Sequence, residues 1–221
     1  ELLVGGQVID EQDSTYSTLI APRLSATTAS KSIAADLANG GTSYRWYPLR
    51  FAFCENWQTA LPLISLQYHD VELRITWGSA AATDKWDVYA NYAYLDTQER
   101  EVFAAQPQNM IMTQVQKAIS SGTKIQEMNF NHPVKYLAAA DASDLAILAD
   151  ANKLKLQING TDVADFKFAD PNFTTVPLYY HSSNGDSSTA KKLFFYPFCL
   201  DASKLQPTGS LNFSRLDSAR I

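Results

Sequence analysis

Three histidines are the residues of this chain best suited to hold a metal ion or to move a proton. His69, His132 and His181 lie far apart in the sequence, and none has a histidine neighbour. A metal site on a β-sheet needs two or three histidines and a carboxylate that converge. We therefore expect no metal ion and no cofactor. His69 is interpreted as a structural residue that follows Tyr68 in a strand, and His132 as a turn residue, because Pro133 favours an extended backbone before it.

Two cysteines and two neighbouring carboxylates are the remaining candidates for catalysis. A nucleophilic cysteine needs a base and an orienting acid nearby. Cys54 and Cys199 instead stand in aromatic or apolar runs, so both are predicted to be buried, unreactive and not paired with each other. Asp70 and Glu72 alternate along a predicted strand beside Arg74, which favours a solvated sheet face over an acid pair. The sequence thus predicts that the chain is not an enzyme.

Three asparagines begin Asn-x-Ser/Thr triplets and are candidate glycosylation sites: Asn159, Asn172 and Asn212. Asn159 has a competing role in a predicted turn, and Asn212 lies within a longer motif described below. Asn172 is therefore the best candidate of the three.

Composition and charge limit the class of protein. The chain has 221 residues, of which 46% are apolar and 19% charged, as in a folded protein. The net charge is −5, and no cluster of Lys and Arg stands out, so no direct contact with nucleic acid is expected. The longest apolar runs, such as residues 61–66 and 145–149, are far shorter than the roughly 20 residues of a membrane span. Two cysteines favour synthesis in a reducing compartment, and the N-terminus suggests a piece of a longer chain.

Alternation of apolar and polar residues predicts a mainly β structure. The clearest hairpin spans residues 154–168, where Asn159 and Gly160 supply the positive-φ pair of a type I′ turn. A second hairpin is predicted at residues 2–9 around Gly5 and Gly6. Further strands are expected at residues 49–54, 65–68, 71–77, 88–95 and 193–198.

One helix has a clear start signal. Asp96 and Glu99 have the spacing of a capping box, and Pro107 would stop the helix, so residues 97–105 are predicted to be helical. Residues 109–120 fit either a helix or a strand. The polar segments 27–42 and 182–189 are predicted to be exposed loops.

An internal repeat appears when the chain is shifted by 145 residues against itself. Identical residues include Phe53 and Phe198, and Tyr68 falls on Phe213 with the β alternation preserved. The repeat predicts two tandem β domains: residues 1–95, a helical linker at 96–106, and residues 107–221. Short strands with long connections favour jelly rolls, although composition alone does not separate them from an immunoglobulin-like pair.

Several ordered motifs resemble the major capsid proteins of nucleocytoplasmic large DNA viruses, especially the algal and chlorella-virus branch. They are RFAFCEN at residues 50–56, TALPLISLQYHDVEL at 59–73, YLDTQER at 94–100, NFNHPVKYL at 129–137, LQING at 156–160 and QPTGSLNFSRLD at 206–217. The family is a double jelly roll, which agrees with the repeat. The resemblance covers only the central part of the family pattern, so both jelly rolls are expected to be incomplete at their outer ends.

The resemblance implies a structural role in a virion. Relatives form homotrimers with a pseudo-hexagonal outline, which contact neighbouring capsomers and minor capsid proteins in an icosahedral shell assembled in the host cytoplasm. The residues that match the family motifs and are expected to be structural are Phe53, Pro62, Leu66, Tyr68, Asp96, His132, Pro133, Pro207, Gly209, Asn212, Phe213 and Arg215.

Two other functions fit a β-sandwich. A glycan-binding module for host attachment would need clustered exposed aromatics, for which Trp46 and Trp57 are the nearest candidates. A cupin-type enzyme would need the metal site that the spacing of the histidines does not favour. A stable trimer, binding to glycans or a stoichiometric metal would distinguish the three.

Overall fold

The chain forms small antiparallel β-sheets joined by short helices. A computed structural model describes residues 1–24, 46–78, 85–119, 122–141, 145–182 and 193–221. Within these residues the strands pair in the orders β2-β1-β3, β10-β6-β7, β4-β9 and β5-β8. The strands are β1 Leu2–Val4, β2 Gln7–Asp10, β3 Val71–Leu73, β4 Pro133–Val134, β5 Tyr136–Ala140, β6 Lys153–Ile158, β7 Thr161–Phe168, β8 Leu193–Pro197, β9 Leu211–Asn212 and β10 Ala219–Arg220.

The helices of the described residues are short. A π-helical turn at Tyr16–Ile20 runs into α1 at Ala21–Leu24. The other α-helices are α2 Ala52–Glu55, α3 Thr97–Ala105, α4 Ala169–Asn172 and α5 Thr175–His181, and single 3₁₀ turns lie at Trp57–Thr59, Ala146–Leu148 and Phe213–Arg215. In the described parts of the chain, no helix is long and apolar enough to span a bilayer.

The chain divides into two compact units. The first consists of Glu1–Gln12 and Arg50–Val115, and the second of Asp13–Leu49 and Gln116–Ile221. Helix α3 therefore belongs to the first unit by its contacts. Its predicted role as a linker at residues 96–106, and the domain limits 1–95 and 107–221, stay predictions.

The first unit is built on the N-terminal hairpin. Gly5 and Gly6 close the β1–β2 turn with φ values of 58° and 77°, a region that glycine enters at little cost. Strand β3 pairs with the other edge of β1, and the Gly5 amide donates to the Asp70 carbonyl at 2.9 Å. Leu2 and Leu3 are buried in this unit. The predicted hairpin at residues 2–9 is confirmed.

Helix α3 begins at the predicted capping box. The Asp96 side chain accepts from the Gln98 and Glu99 amides, and the Glu99 carboxylate accepts from the Asp96 amide at 3.2 Å. The Ser65 hydroxyl also donates to the Phe103 carbonyl at 2.9 Å. The cap satisfies amides that the first helical turn leaves without partners, which is why a helix this short has a defined start.

The second unit contains the β6–β7 hairpin at the predicted position. Asn159 and Gly160 have φ values of 49° and 76°, as a type I′ turn requires. The Asn159 side-chain oxygen accepts from the Asp217 and Ser218 amides, which fastens the turn to the end of the chain. Leu154, Leu156 and Ile158 point inward from β6 and are buried.

Two apolar clusters form the core of the second unit. The full-length pairing of β5 with β8 contributes to both, because Phe194 faces one cluster and Phe195 the other. The larger contains Met128, Leu137, Leu148, Leu154, Leu156, Ile158, Ala164, Ala169, Phe173, Phe194, Phe213 and Ala219. The smaller contains Ile20, Leu24, Leu178, Leu193, Phe195, Cys199 and Ala202.

Several predicted strands are wrong or shorter than expected. Residues 52–55 of the expected strand 49–54 are helical, residues 65–68 form turns, and residues 88–95 have no regular strand. Strand β3 ends at Leu73, whereas the prediction ran to residue 77, and residues 109–119 are neither helix nor strand. Alternation gives a segment a sheet-forming face, but a strand also needs a partner for its backbone groups.

Two loop predictions fall outside the described residues. Segment 27–42 lies wholly outside them, and so does 182–189 apart from Ser182.

Candidate assembly surfaces

The three histidines occupy separate structural positions. The His69 ring lies against Gly5, where an added Cβ would be 2.6 Å from its Nδ1 atom. The His181 Nδ1 atom is 2.9 Å from the Cys199 carbonyl oxygen, so this nitrogen carries the proton. Within the described residues, no group of three His, Cys, Asp or Glu side chains could hold a metal ion.

The two cysteines differ, which corrects one prediction. Cys199 is buried as expected, but Cys54 is exposed because it lies in helix α2 rather than in a strand. The Cys54 sulfur is still partly shielded from water, and this desolvation raises the pKa of the thiol to about 11. Burial also raises the pKa of Cys199. Both thiols are therefore protonated at neutral pH and poor nucleophiles.

The neighbouring carboxylates Asp70 and Glu72 lie at the protein surface, where both are exposed. Arg74 forms its ion pair with Glu1, at 3.3 Å, rather than with either of them. This arrangement matches the solvated sheet face that the sequence predicts.

The three sequon asparagines are engaged in local hydrogen bonds. Asn172 donates to the Phe168 carbonyl at 3.0 Å, and the hydroxyl of its sequon residue Thr174 is buried and bonded to Asp170. The Asn212 oxygen accepts from the Ser214 amide and caps the 3₁₀ turn that follows. As described above, Asn159 anchors a turn. All three side chains have structural roles, and their glycosylation stays a prediction.

The repeated motifs each bring two aromatic rings together, but the ring geometry and the burial differ: the first pair is stacked and the second is edge-on. Phe51 and Phe53 stack with ring centroids 6.1 Å apart, and their repeat equivalents Tyr196 and Phe198 are 5.4 Å apart. Phe213 then covers Phe198 at 5.8 Å and is 3% exposed. The equivalent of Phe213 in the first unit is Tyr68, which is 88% exposed. At this position of the repeat, the aromatic side chain is therefore exposed in the first unit and buried within the second unit's own core.

The motif around His132 connects two distant segments. His132 has a left-handed backbone with φ 68°, its amide donates to the Ser214 hydroxyl, and its carbonyl accepts from the Phe213 amide. Next to it, strand β4 pairs with β9, which places Pro133 opposite Asn212. The remaining motif residues are Pro62 and Leu66, which are half-buried, and Pro207 and Arg215, which are exposed.

The sequence analysis missed the lysine that organises the loop after β8. The Lys135 ammonium donates to the carbonyls of Ala202 and Lys204 at 3.3 and 3.0 Å, and burial lowers its pKa. In the same loop, Gly209 has a φ of 143°. A Cβ added there would lie 2.9 Å from the Phe198 carbonyl oxygen. The motif NFNHPVKYL contains Lys135, but nothing in its spacing shows that it reaches carbonyls almost 70 residues away.

A buried carboxylate in the first unit was also missed. Asp10 accepts from the Gln12 side chain and from the Val115 amide, both at 2.8 Å. Burial is the main influence on it and raises the pKa of its carboxyl group. Asp10 thereby ties the segment after α3 to the N-terminal hairpin.

The first unit has an exposed aromatic strip at residues 86–94. Trp86 packs against Trp77 with ring centroids 4.8 Å apart and the ring planes tilted by 30°. Tyr94 is 94% exposed, and the segment has no regular strand. The exposed large side chains of the strip are Trp86, Val88, Tyr89, Tyr92 and Tyr94. A run of this kind is typical of a surface that another chain segment or subunit covers.

The second unit exposes an apolar sheet edge at β7. Only β6 pairs with β7, so its outer edge has no strand beside it in the described residues. Phe166, Phe168 and Val163 are each at least half exposed along this strand. Such an edge is a template for pairing with another strand.

Comparison with known proteins identifies the family. The family model described as "Major capsid protein N-terminus" matches residues 1–148. The chain is 31% identical over 231 residues to the major capsid protein of Pyramimonas orientalis virus, covering 90% of this chain and 58% of that protein. It is 29% identical over 289 residues to the major capsid protein of Paramecium bursaria Chlorella virus 1, covering 100% of this chain and 65% of that protein.

The fold gives the same result. The chain superposes on a subunit of the "PBCV-1 virus capsid, quasi-atomic model" with a TM-score of 0.69 at 25% identity, covering 100% of this chain and 68% of the other. By the sequence comparisons, which cover 58% and 65% of the two viral relatives, the chain spans less than two thirds of the length of those proteins. The resemblance inferred from the motifs is confirmed. Because the family model matches well over half of the chain, this protein belongs to the major capsid protein family.

Proposed function

We propose that the chain is the central part of a major capsid protein that builds the icosahedral shell of a large DNA virus. One observation carries the proposal: the fold matches a capsid subunit over the whole length of the chain, with a TM-score of 0.69. The protein acts by packing against its neighbours and carries out no reaction. The relatives named above are capsid proteins, and they give no support to the glycan-binding alternative.

The proposed architecture is a double jelly roll. The first jelly roll includes residues 1–95, the second residues 107–221, and residues 96–106 connect them. The β-rich sheets and the 145-residue repeat support this arrangement. The exposure of Tyr68, whose equivalent Phe213 is buried, is expected of a first jelly roll that needs further strands to cover it.

The proposed assembly is a homotrimer. Three subunits of two similar domains place six sandwiches around a three-fold axis, and this outline tiles a hexagonal lattice. A stable trimer needs an interface of roughly 1,000 Å² or more with an apolar centre. The aromatic strip at residues 86–94 has the composition such a centre needs. Trimers would contact neighbouring capsomers and minor capsid proteins in the virion, after assembly in the host cytoplasm and without direct contact with nucleic acid.

Light scattering of the full-length protein tests the proposal. We expect a mass of three chains, and regular particles or hexagonal arrays by electron microscopy. A mass of one chain at every concentration, with no arrays, would contradict the proposed function.

A paired substitution tests the aromatic strip. Tyr89→Ser with Tyr92→Ser should reduce the trimer fraction, because it removes apolar surface from the proposed interface. Tyr179→Ser with Tyr180→Ser is the matched control, since these tyrosines are equally exposed but lie in the second unit. An equal effect of the two pairs would argue against a role for the strip.

A further inference from the structure

Strand β7 has the features of a contact between two copies of this chain. We propose that β7 pairs edge to edge with β7 of a second copy, antiparallel and about a two-fold axis centred on Phe166. The inference rests on the proposed function, since it names a contact that would join subunits in the shell. A two-fold contact is self-complementary and cannot close a trimer, so it would link separate trimers.

The charges on β7 favour a partner outside the chain. Asp162 is paired within its own hairpin, because the Lys155 ammonium lies 2.6 Å from its carboxylate and lowers its pKa. Asp165 and Lys167 are exposed, and neither has an ion-pair partner among the described residues. They stand on either side of Phe166. The edge therefore carries one unpaired negative and one unpaired positive charge around an exposed ring.

These charges select one register of self-pairing. In an antiparallel pair centred on Phe166, Asp165 lies opposite the partner's Lys167, and the symmetry repeats this contact. The two Phe166 rings then meet at the centre. Centring the pair on Asp165 or on Lys167 would instead place like charges opposite each other, which is unfavourable.

The aromatic rings of β7 are already held in place. The Lys155 ammonium lies 5.4 Å from the Phe166 ring centroid, and Lys153 lies 4.9 Å from that of Phe168. Cation–π contacts of this kind restrict the rings before association. Because the rings are already restricted, less side-chain entropy is lost when a second strand binds.

One hydrogen bond opposes the pairing and keeps it reversible. The Asp165 carboxylate accepts from the Phe166 amide of its own strand at 2.7 Å. To reach the partner's Lys167, the carboxylate must leave this amide. The contact is therefore weak for a single pair and becomes effective where many copies are held together, as in a shell.

Charge exchange between two variants tests the inference. Sedimentation velocity of the 221-residue chain over a range of concentrations should show a monomer–dimer equilibrium. Asp165→Lys alone and Lys167→Asp alone should each weaken the dimer about tenfold, because two exposed cross-strand pairs become repulsive. An equimolar mixture of the two variants should associate again, since each then supplies the charge that the other needs. The double variant D165K/K167D should also associate.

A control variant and a separate readout make the result decisive. Lys124→Asp makes the same charge change as Lys167→Asp at an exposed position of the second unit and should leave the dimer unchanged. Absence of self-association, or no recovery in the mixture, would overturn the β7 pairing. Trimer formation by the full-length protein tests the proposed function independently, so a trimer that tolerates Asp165→Lys would leave that function intact.

Discussion

The backbone amide of His132 donates a hydrogen bond of 2.7 Å to the hydroxyl of Ser214. The Phe213 amide returns to the His132 carbonyl at 3.0 Å, and β4 pairs with β9 beside this contact. Hydrogen bonds thus join two sequence motifs at residues 82 positions apart, His132 and Ser214. Phe130 and Phe213 pack below it with ring centroids 6.1 Å apart. The residues of the two motifs therefore have a structural role, which is to connect the two segments, and the histidine ring takes no part in these hydrogen bonds.

Removing the hydroxyl should weaken this connection. Ser214→Ala leaves the His132 amide without its acceptor, so the free energy of unfolding should fall by about 1 kcal/mol. Urea unfolding followed by circular dichroism measures the change. Ser210→Ala, at an exposed serine of the same segment, is the control and should be close to neutral. Equal effects of the two substitutions would show that the hydrogen bond contributes nothing.

The loop between β8 and β9 should not tolerate a side chain at Gly209. Its φ of 143° is unfavourable for other residues, and an added Cβ would lie 2.9 Å from the Phe198 carbonyl oxygen. Gly209→Ala should therefore lower the free energy of unfolding by about 1–3 kcal/mol. Gly78→Ala is the matched control, because no atom lies within 4 Å of the Cβ position and its φ is not in the left-handed region. A neutral Gly209→Ala would mean that this loop rearranges freely.

Local signals in the sequence predict local structure well. Asn159 and Gly160 specify their turn through their own backbone preferences, and Asp96 with Glu99, three positions apart, specifies the start of a helix. Each of these depends on atoms within one turn of chain. The family assignment also follows from ordered motifs, which need no knowledge of packing.

Long-range partners explain what the sequence did not predict. The expected strand at residues 49–54 is helical at Ala52–Glu55, where the Thr59 hydroxyl donates to the Ala52 carbonyl at 2.7 Å. Cys54 is exposed as a result. The burial of Lys135 and of Asp10 likewise depends on carbonyls and amides far away in the sequence. Residue type and alternation contain no information about such partners.

The partly buried ammonium of Lys135 should stabilise the loop after β8. Lys135→Met keeps the length of the side chain but leaves the Ala202 and Lys204 carbonyls without their donor. We expect the free energy of unfolding to fall by about 1.5–3 kcal/mol, the range for a hydrogen bond to a charged group. Hydrogen exchange of the loop amides should increase as well. Lys124→Met, at an exposed lysine, controls for the change in net charge, and a loop with unchanged exchange would contradict the assigned role.

Asp10 should make stability depend on pH in the opposite direction from most carboxylates. Burial raises its folded-state pKa above the ordinary value of 3.8. At a pH between the unfolded-state pKa and the higher folded-state pKa, the folded protein binds this proton more tightly than the unfolded chain does. The contribution of Asp10 to stability is therefore fully present below the unfolded pKa and is lost as the pH rises through the folded pKa.

Comparison with Asp10→Asn isolates this effect. Asparagine keeps the oxygen that accepts from the Val115 amide but does not titrate in this range. We expect the wild-type protein to gain stability relative to Asp10→Asn as the pH falls from 7 towards 4, measured by urea unfolding at each pH. Glu101→Gln, at an exposed carboxylate of helix α3 in the same unit, is the control for the loss of one negative charge. If wild type and Asp10→Asn keep a constant difference over this range, the burial of Asp10 does not control its ionisation, and the tie between the N-terminal hairpin and Val115 is held by the charged carboxylate.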